Sequence, residues 1–252
     1  MSVTVSDNAE SIWVFGYGSL TWKPGISYSS KHYGYIKGFK RRFWQGNTTH
    51  RGTPEQPGRV ATLVPDSTTI LWGVAYELKG KEQIQAGMEN LTNREMRLGG
   101  YTTYVIDFYR RESHEYPIPT VVYTATPDSH LWMGPHNSLD QMALQIVTSH
   151  GTAGANSDYV TKLADFTRKY IPEETDEHLF LLDKKIRTLL ATRHNVHKPS
   201  EKMNSKHLRP AKVHSEMVSI EKPFCIAKRI SHNDEACDRT VLEPRVEMQR
   251  DE

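Results

Sequence analysis

Trp13-Val14-Phe15-Gly16-Tyr17-Gly18-Ser19-Leu20-Thr21-Trp22 joins a short apolar run to two glycines set one residue apart. Residues 12–15 have the length and composition of a buried strand, and the glycines mark a turn closed by a serine and an apolar residue. A strand feeding such a turn makes a backbone cradle. Glycine opens dihedrals closed to other residues and lets a ligand approach the main chain, so that successive N–H groups converge on an anion. Neither a full Gly-x-Gly-x-x-Gly nor a Gly-Lys-Ser/Thr follows, so the pattern alone reads sooner as an ordinary tight turn.

Downstream, residues 33–44 alternate aromatic and basic side chains and read as a strand; residues 45–58, with Gly46, Gly52, Pro54, Pro57 and Gly58, read as a long loop. Residues 59–64 and 70–78 are rich in branched and aromatic types, and Pro65-Asp66-Ser67-Thr68-Thr69 between them predicts a hairpin. Ile84, Met88 and Leu91 fall at helical spacing over residues 81–93, and Gly99-Gly100 marks the stop. Residues 101–109 and 120–126 read as strands, with Pro117 and Pro119 breaking the connection. Ser138 and Gln141 form a capping box before a helix. A second helix over residues 156–170 carries Tyr159, Leu163, Phe166 and Tyr170, and a third follows Pro172 with Leu179, Leu182, Ile186 and Leu189 as its stripe.

Of 252 residues, 32 are basic and 30 acidic, and residues 1–192 balance the two signs. That disfavours a nucleic-acid or membrane partner. The first eleven residues are polar, without the charged start and apolar core of a signal peptide. Two cysteines, Cys225 and Cys237, supply neither a disulfide framework nor a zinc quartet. These features predict a soluble protein of a reducing compartment, the cytosol. Residues 193–252 are dense in charge and short of apolar groups, and read as a mostly disordered tail open to a protein partner through residues 217–230. The expected organisation is an extension over 1–11, a folded domain over 12–192 and the tail over 193–252.

Phe15-Gly16-Tyr17-Gly18-Ser19-Leu20, Arg41-Arg42-Phe43-Trp44-Gln45-Gly46, His50-Arg51-Gly52, Gly58-Arg59-Val60, Trp72-Gly73-Val74-Ala75-Tyr76 and Arg94-Glu95 before Gly99-Gly100-Tyr101 together resemble the ChaC family. The similarity continues through Tyr170-Ile171-Pro172-Glu173-Glu174 and covers about residues 12–192. It implies an α+β fold, a mixed β-barrel flanked by helices, that cleaves reduced glutathione to 5-oxoproline and cysteinylglycine without metal or cofactor.

Glu95 matches the family's catalytic glutamate, first taking a proton from the γ-glutamyl amine and then returning one to the leaving amine. Such a group works best with a pKa raised to roughly 6–7 by partial burial. Tyr17, Gly18, Ser19 and Leu20 match the family's γ-glutamyl-binding loop. Arg42 and Gln45 are candidates for further polar contacts, and Tyr101 and Tyr123 for closing the pocket. Taken alone, Glu95 beside Arg94 would be a surface ion pair, and His50 and His178 satisfied single histidines. Between Glu95 and Gly99 this chain has Met-Arg-Leu, two residues more than the shortest family form. Two alternatives stay open: cyclisation of other γ-glutamyl amino acids or amines, and a weakly catalytic γ-glutamyl-binding regulatory protein.

Overall fold

The computed structural model describes residues 10–97, 101–113 and 116–196. Strand β1 (Ser11–Gly16) leads through a 3-10 turn, Ser19–Thr21, to β2 (Ser30–Asn47) and β3 (Gly58–Lys79). Helix α1 (Lys81–Leu91) continues into a π-helical segment, Thr92–Arg97. Strands β4 (Thr102–Arg110) and β5 (Ile118–Thr124) follow, then α2 (Leu139–Thr148), the short strands β6 (His150–Gly151) and β7 (Gly154–Ala155), α3 (Asn156–Tyr170) and α4 (Glu177–Val196).

The first five strands close a barrel in the order β1-β3-β2-β4-β5. Every pairing is antiparallel except the one that closes it, where β1 and β5 run parallel with Phe15 opposite Val122. Side chains alternate along a strand, so each strand serves two packing faces. Phe15 and Val122 join Phe43, Leu63, Phe108, Leu163 and Leu182 in the main core, while Val14 and Val121 pack with Leu78, Ile84 and Leu91 beneath α1. That second face fixes α1, and with it the π-helical segment, against the closing strands.

The structure corrects the expected hairpin. Residues 59–64 and 70–78 do not pair with each other; both belong to β3 and both pair with β2. Pro65–Thr69 bulges from one continuous strand, where the register slips between Lys37↔Ile70 and Phe39↔Pro65. Asp66 accepts from the Thr68 backbone N–H at 3.1 Å and hydroxyl at 2.7 Å, and from Lys40 Nζ at 3.0 Å. These bonds close the bulge on itself, as an Asx turn does, without reversing the chain. The reversal falls instead in residues 48–57, a shorter loop than expected because β2 runs on to Asn47. Pro119, expected to break the chain, is taken into β5 opposite Asp107.

The loop over residues 48–57 is fastened at several points. Asn47 Oδ1 accepts from the Arg51 N–H at 2.7 Å, while Thr152 and Ala153, at the β6–β7 turn, donate to the Thr49 and His50 carbonyls at 2.9 Å each. The folded unit continues through α4 to Val196. Residues 193–196, expected to begin the tail, are the last of α4, and 197–252 lie outside the described residues, as do Gly99 and Gly100.

Candidate active site

Strand β1 delivers the Tyr17–Leu20 cradle to one end of the barrel, and the π-helical segment delivers Glu95 beside it. A widened turn at a helix end re-aims a side chain, and such turns recur at functional sites. The Glu95 side chain is only 16% exposed, with Oε1 2.9 Å from Arg94 Nε. Burial pushes its carboxyl above the usual carboxylate range, and the Arg94 guanidinium opposes that rise. The rest of the Arg94 guanidinium reaches outward: Nη1 donates to the Lys23 and Pro24 carbonyls at 3.0 Å each, and Nη2 to Ser19 Oγ at 2.7 Å. One planar cation thus ties the cradle, the following loop and Glu95 together.

The two glycines serve the cradle differently from the expectation. Neither has a positive φ, and Gly18 sits at φ −121°. What they supply is space. A Cβ at Gly16 would stand 2.7 Å from Leu20 Cβ, and one at Gly18 would stand 2.7 Å from the Tyr159 hydroxyl. The Gly18 carbonyl accepts from the Thr21 N–H at 3.0 Å and from its hydroxyl at 2.8 Å, and Tyr76 donates to the Leu20 carbonyl at 2.9 Å, fixing the turn.

Tyrosines line the recess beside Glu95. Tyr17 donates to the Tyr123 carbonyl at 2.8 Å, Tyr101 donates to the Ala61 carbonyl at 2.6 Å, and the Ala61 N–H donates to the Tyr159 hydroxyl at 3.2 Å. Burial pushes the Tyr17, Tyr101, Tyr123 and Tyr159 phenols up, so all four stay protonated at neutral pH. The recess, about 30 Å³, adjoins a wider cavity of about 330 Å³ that reaches Lys23, Asn47, His50 and Arg51. Together they fall at the small end of the roughly 300–1,000 Å³ range of ligand pockets.

Of the residues singled out in sequence, Tyr17, Gly18, Ser19, Leu20, Tyr101 and Tyr123 come together with Glu95 around the recess. Arg42 and Gln45 do not. Arg42 Nη1 donates to the Arg41 carbonyl at 2.6 Å and its side chain lines a separate cavity of about 280 Å³. Gln45 is wholly buried, with Nε2 donating to Ser129 Oγ at 3.1 Å. Neither residue is among those lining the cavity at Glu95. Sequence reasoning passed over Tyr159, whose place in an apolar helical stripe reads as core, and over the Arg94 clamp. Arg51 carried a usable signal, a cation in a long Gly/Pro-rich loop, where binding residues concentrate. Among the described residues, no group of three or more His, Cys, Asp or Glu side chains is placed to hold a metal ion.

Fold and site together define a small closed barrel with a buried carboxyl group facing a ligand cavity. A family model described as ChaC-like protein matches residues 12–189. The chain belongs to the ChaC-like family. It is 44% identical over 182 residues to glutathione-specific gamma-glutamylcyclotransferase 1 of Danio rerio, covering 72% of this chain and 90% of that one. The Homo sapiens protein of the same name is 40% identical over 181 residues, with 72% and 81% covered. A crystal structure of a yeast gamma-glutamyl cyclotransferase specific to glutathione superposes with a TM-score of 0.63 at 32% identity, covering 71% of this chain and 99% of the yeast chain. The mixed barrel flanked by helices is the fold that the resemblance implied.

Proposed function

We propose that this protein cleaves reduced glutathione to 5-oxoproline and cysteinylglycine, with Glu95 as the single acid–base group. The observation that carries the reading is the buried Glu95 carboxyl facing the cavity beside the Tyr17–Leu20 cradle. The names of the relatives and of the yeast structure support the substrate.

In this reading Glu95 takes a proton from the substrate's α-ammonium group. The freed amine attacks its own γ-carbonyl carbon, closing a five-membered ring and driving the carbonyl electrons onto oxygen. When that carbonyl reforms, the bond to the cysteinyl nitrogen breaks and Glu95 returns its proton to the leaving amine; the ring nitrogen sheds its second proton, and the departing amine takes one up as it becomes an ammonium group. Atoms and protons balance without oxidant or reductant. Because the nucleophile belongs to the substrate, the protein's task is to hold the γ-glutamyl group in a closing conformation. The cradle backbone suits the α-carboxylate or the developing oxyanion, and the neutral phenols of Tyr101 and Tyr123 wall the recess. Arg94 fixes the distance between cradle and base. An upward-shifted carboxyl suits a group that must both accept and donate near neutral pH.

Purified protein incubated with reduced glutathione, oxidised glutathione and γ-glutamylalanine, with chromatographic detection of 5-oxoproline, tests the reading. Product from reduced glutathione, lost in Glu95→Gln with the fold retained, supports it. Product from γ-glutamylalanine instead overturns the substrate, and no product from any of the three overturns the activity. The balanced charge and the two cysteines point to the cytosol as the site of action, and a tail over residues 193–252 remains our proposal for a protein-partner segment.

A further inference from the structure

The cavity wall away from the cradle carries positive charge that no described carboxylate there pairs with. Lys23, Arg51 and Arg94 line the wider cavity, and among its described lining residues Glu95 is the one carboxylate. Arg94 is already paired with Glu95 at 2.9 Å, which leaves Lys23 and Arg51. Among the described residues no carboxylate lies within 4 Å of either. Asp158 acts on Arg51 from further off, and is exposed and paired with Lys162 at 3.6 Å.

Arg51 is the better placed of the two. Its Nη1 donates to the Ala155 carbonyl at 2.9 Å, its backbone N–H donates to Asn47 Oδ1 at 2.7 Å, and its guanidinium carbon stands 6.0 Å from the centre of the Tyr159 ring. One hydrogen bond and one ring contact therefore orient the guanidinium and the backbone bond holds its loop, while its Nε and Nη2 donate to no described residue. A preorganised, partly desolvated guanidinium with free in-plane donors is suited to a carboxylate. Lys23 is exposed and has no such anchors. His50 lies beside them, its imidazole pushed down by burial and by Arg94, Arg51 and Lys23, so it stays neutral and marks how closely the cations gather.

We infer that Arg51, assisted by Lys23, receives the glycine carboxylate of the tripeptide and so sets the preference for glutathione over γ-glutamyl compounds that lack a carboxylate there. The inference rests on the glutathione reading. Glutathione has two carboxylates at opposite ends, and once the cradle has taken the γ-glutamyl one, the other needs a cation further along the cavity.

The test compares kcat/KM for glutathione and for its glycine carboxamide, which differs only in that terminal charge. The native enzyme is expected to favour glutathione by roughly 10- to 100-fold, as one charge-assisted hydrogen bond contributes. In Arg51→Gln that ratio falls toward one, and in Lys23→Gln it falls by a smaller factor. A ratio within one variant is unaffected by any loss of folded protein. Binding of the two ligands to Glu95→Gln, measured by calorimetry, repeats the comparison without turnover and is expected to give the same ratio. Equal handling of both compounds by the native enzyme, or full discrimination retained in Arg51→Gln, overturns the inference and leaves the activity standing. Cleavage of neither compound overturns the glutathione reading, and the inference falls with it.

Discussion

Arg94–Glu95 and Arg41–Glu174 are both arginine–glutamate pairs of the same barrel, and both carboxyls are pushed up by burial against an opposing guanidinium. They differ in what else holds them. Both oxygens of Glu174 are bonded: Oε2 accepts from the Trp72 N–H at 3.0 Å and from Arg41 Nη2 at 3.5 Å, and Oε1 accepts from the Thr175 N–H at 3.0 Å. Arg41 in turn approaches Asp176 at 3.6 Å, and its side chain is 1% exposed. The Glu95 carboxyl is paired with Arg94 alone among the described residues, and it faces a cavity. Burial beside an arginine therefore does not distinguish a reacting carboxylate from a structural one. A free lone pair facing open space does.

The sharpest way to break this comparison is to neutralise both. Glu95→Gln is expected to lower turnover by about 10²–10⁴-fold, the usual contribution of positioned proton transfer, with the fold retained and no loss of melting temperature. Glu174→Gln is expected to do the reverse, costing about 3 kcal/mol of stability by leaving Arg41 short of a buried partner, with turnover retained at temperatures where the protein stays folded. Denaturant unfolding and steady-state kinetics on the two variants read both effects, and matching losses would erase the distinction.

Gly18→Ala comes next in size. Its Cβ would meet the Tyr159 hydroxyl at 2.7 Å, displacing a phenol bonded to Ala61, at about 1–3 kcal/mol for an overpacked site and with reduced turnover.

A smaller effect sharpens the comparison through pH. Glu95 must be ionised to take the first proton, so the acid limb of kcat/KM is expected above the ordinary glutamate value of about 4.3. Arg94 opposes the upward shift, so Arg94→Gln is expected to move that limb to higher pH still. Linkage gives an independent check. With its folded pKa raised, Glu95 favours folding when protonated, and this stability is lost as pH rises from the ordinary glutamate value through the folded one. Glu95→Gln, which cannot ionise, is therefore expected to gain thermal stability relative to the native protein across that same rise. The smallest expected effect is that of ending the chain after Val196, which leaves turnover unchanged because α4 is then intact.

Much of the fold was legible in the sequence because it is written locally. The Asn156–Tyr170 helix and the β1 strand follow from apolar spacing and flanking glycines, and the capping serine of α2 was visible at Ser138, whose Oγ accepts from the Gln141 N–H at 3.2 Å. Where the reading slipped, a local signal had a non-local outcome. Pro65–Thr69 has turn composition, yet β2 is long enough to pair with both halves of β3, and the segment became a bulge.

The site divides in the same way. The cradle and Glu95 could be named from their residues, since a strand running into Gly-x-Gly and a family glutamate are short-range patterns. Whether Arg42 or its neighbour faced inward depended on the register of β2 in the closed barrel. Arg41 took the buried side, and both arginines line a cavity other than the one at Glu95. Tyr159 and Arg51 reach the site only because α3 and the β6–β7 turn pack over the strand ends. The sequence by itself determined the elements, the candidate base and the turn beside it, because each depends on neighbours a few residues away. Tertiary structure alone decided which side chains share the cavity and, among the described residues, left an oxygen of Glu95 open and Arg51 without a carboxylate, because burial and charge pairing arise only when distant segments meet.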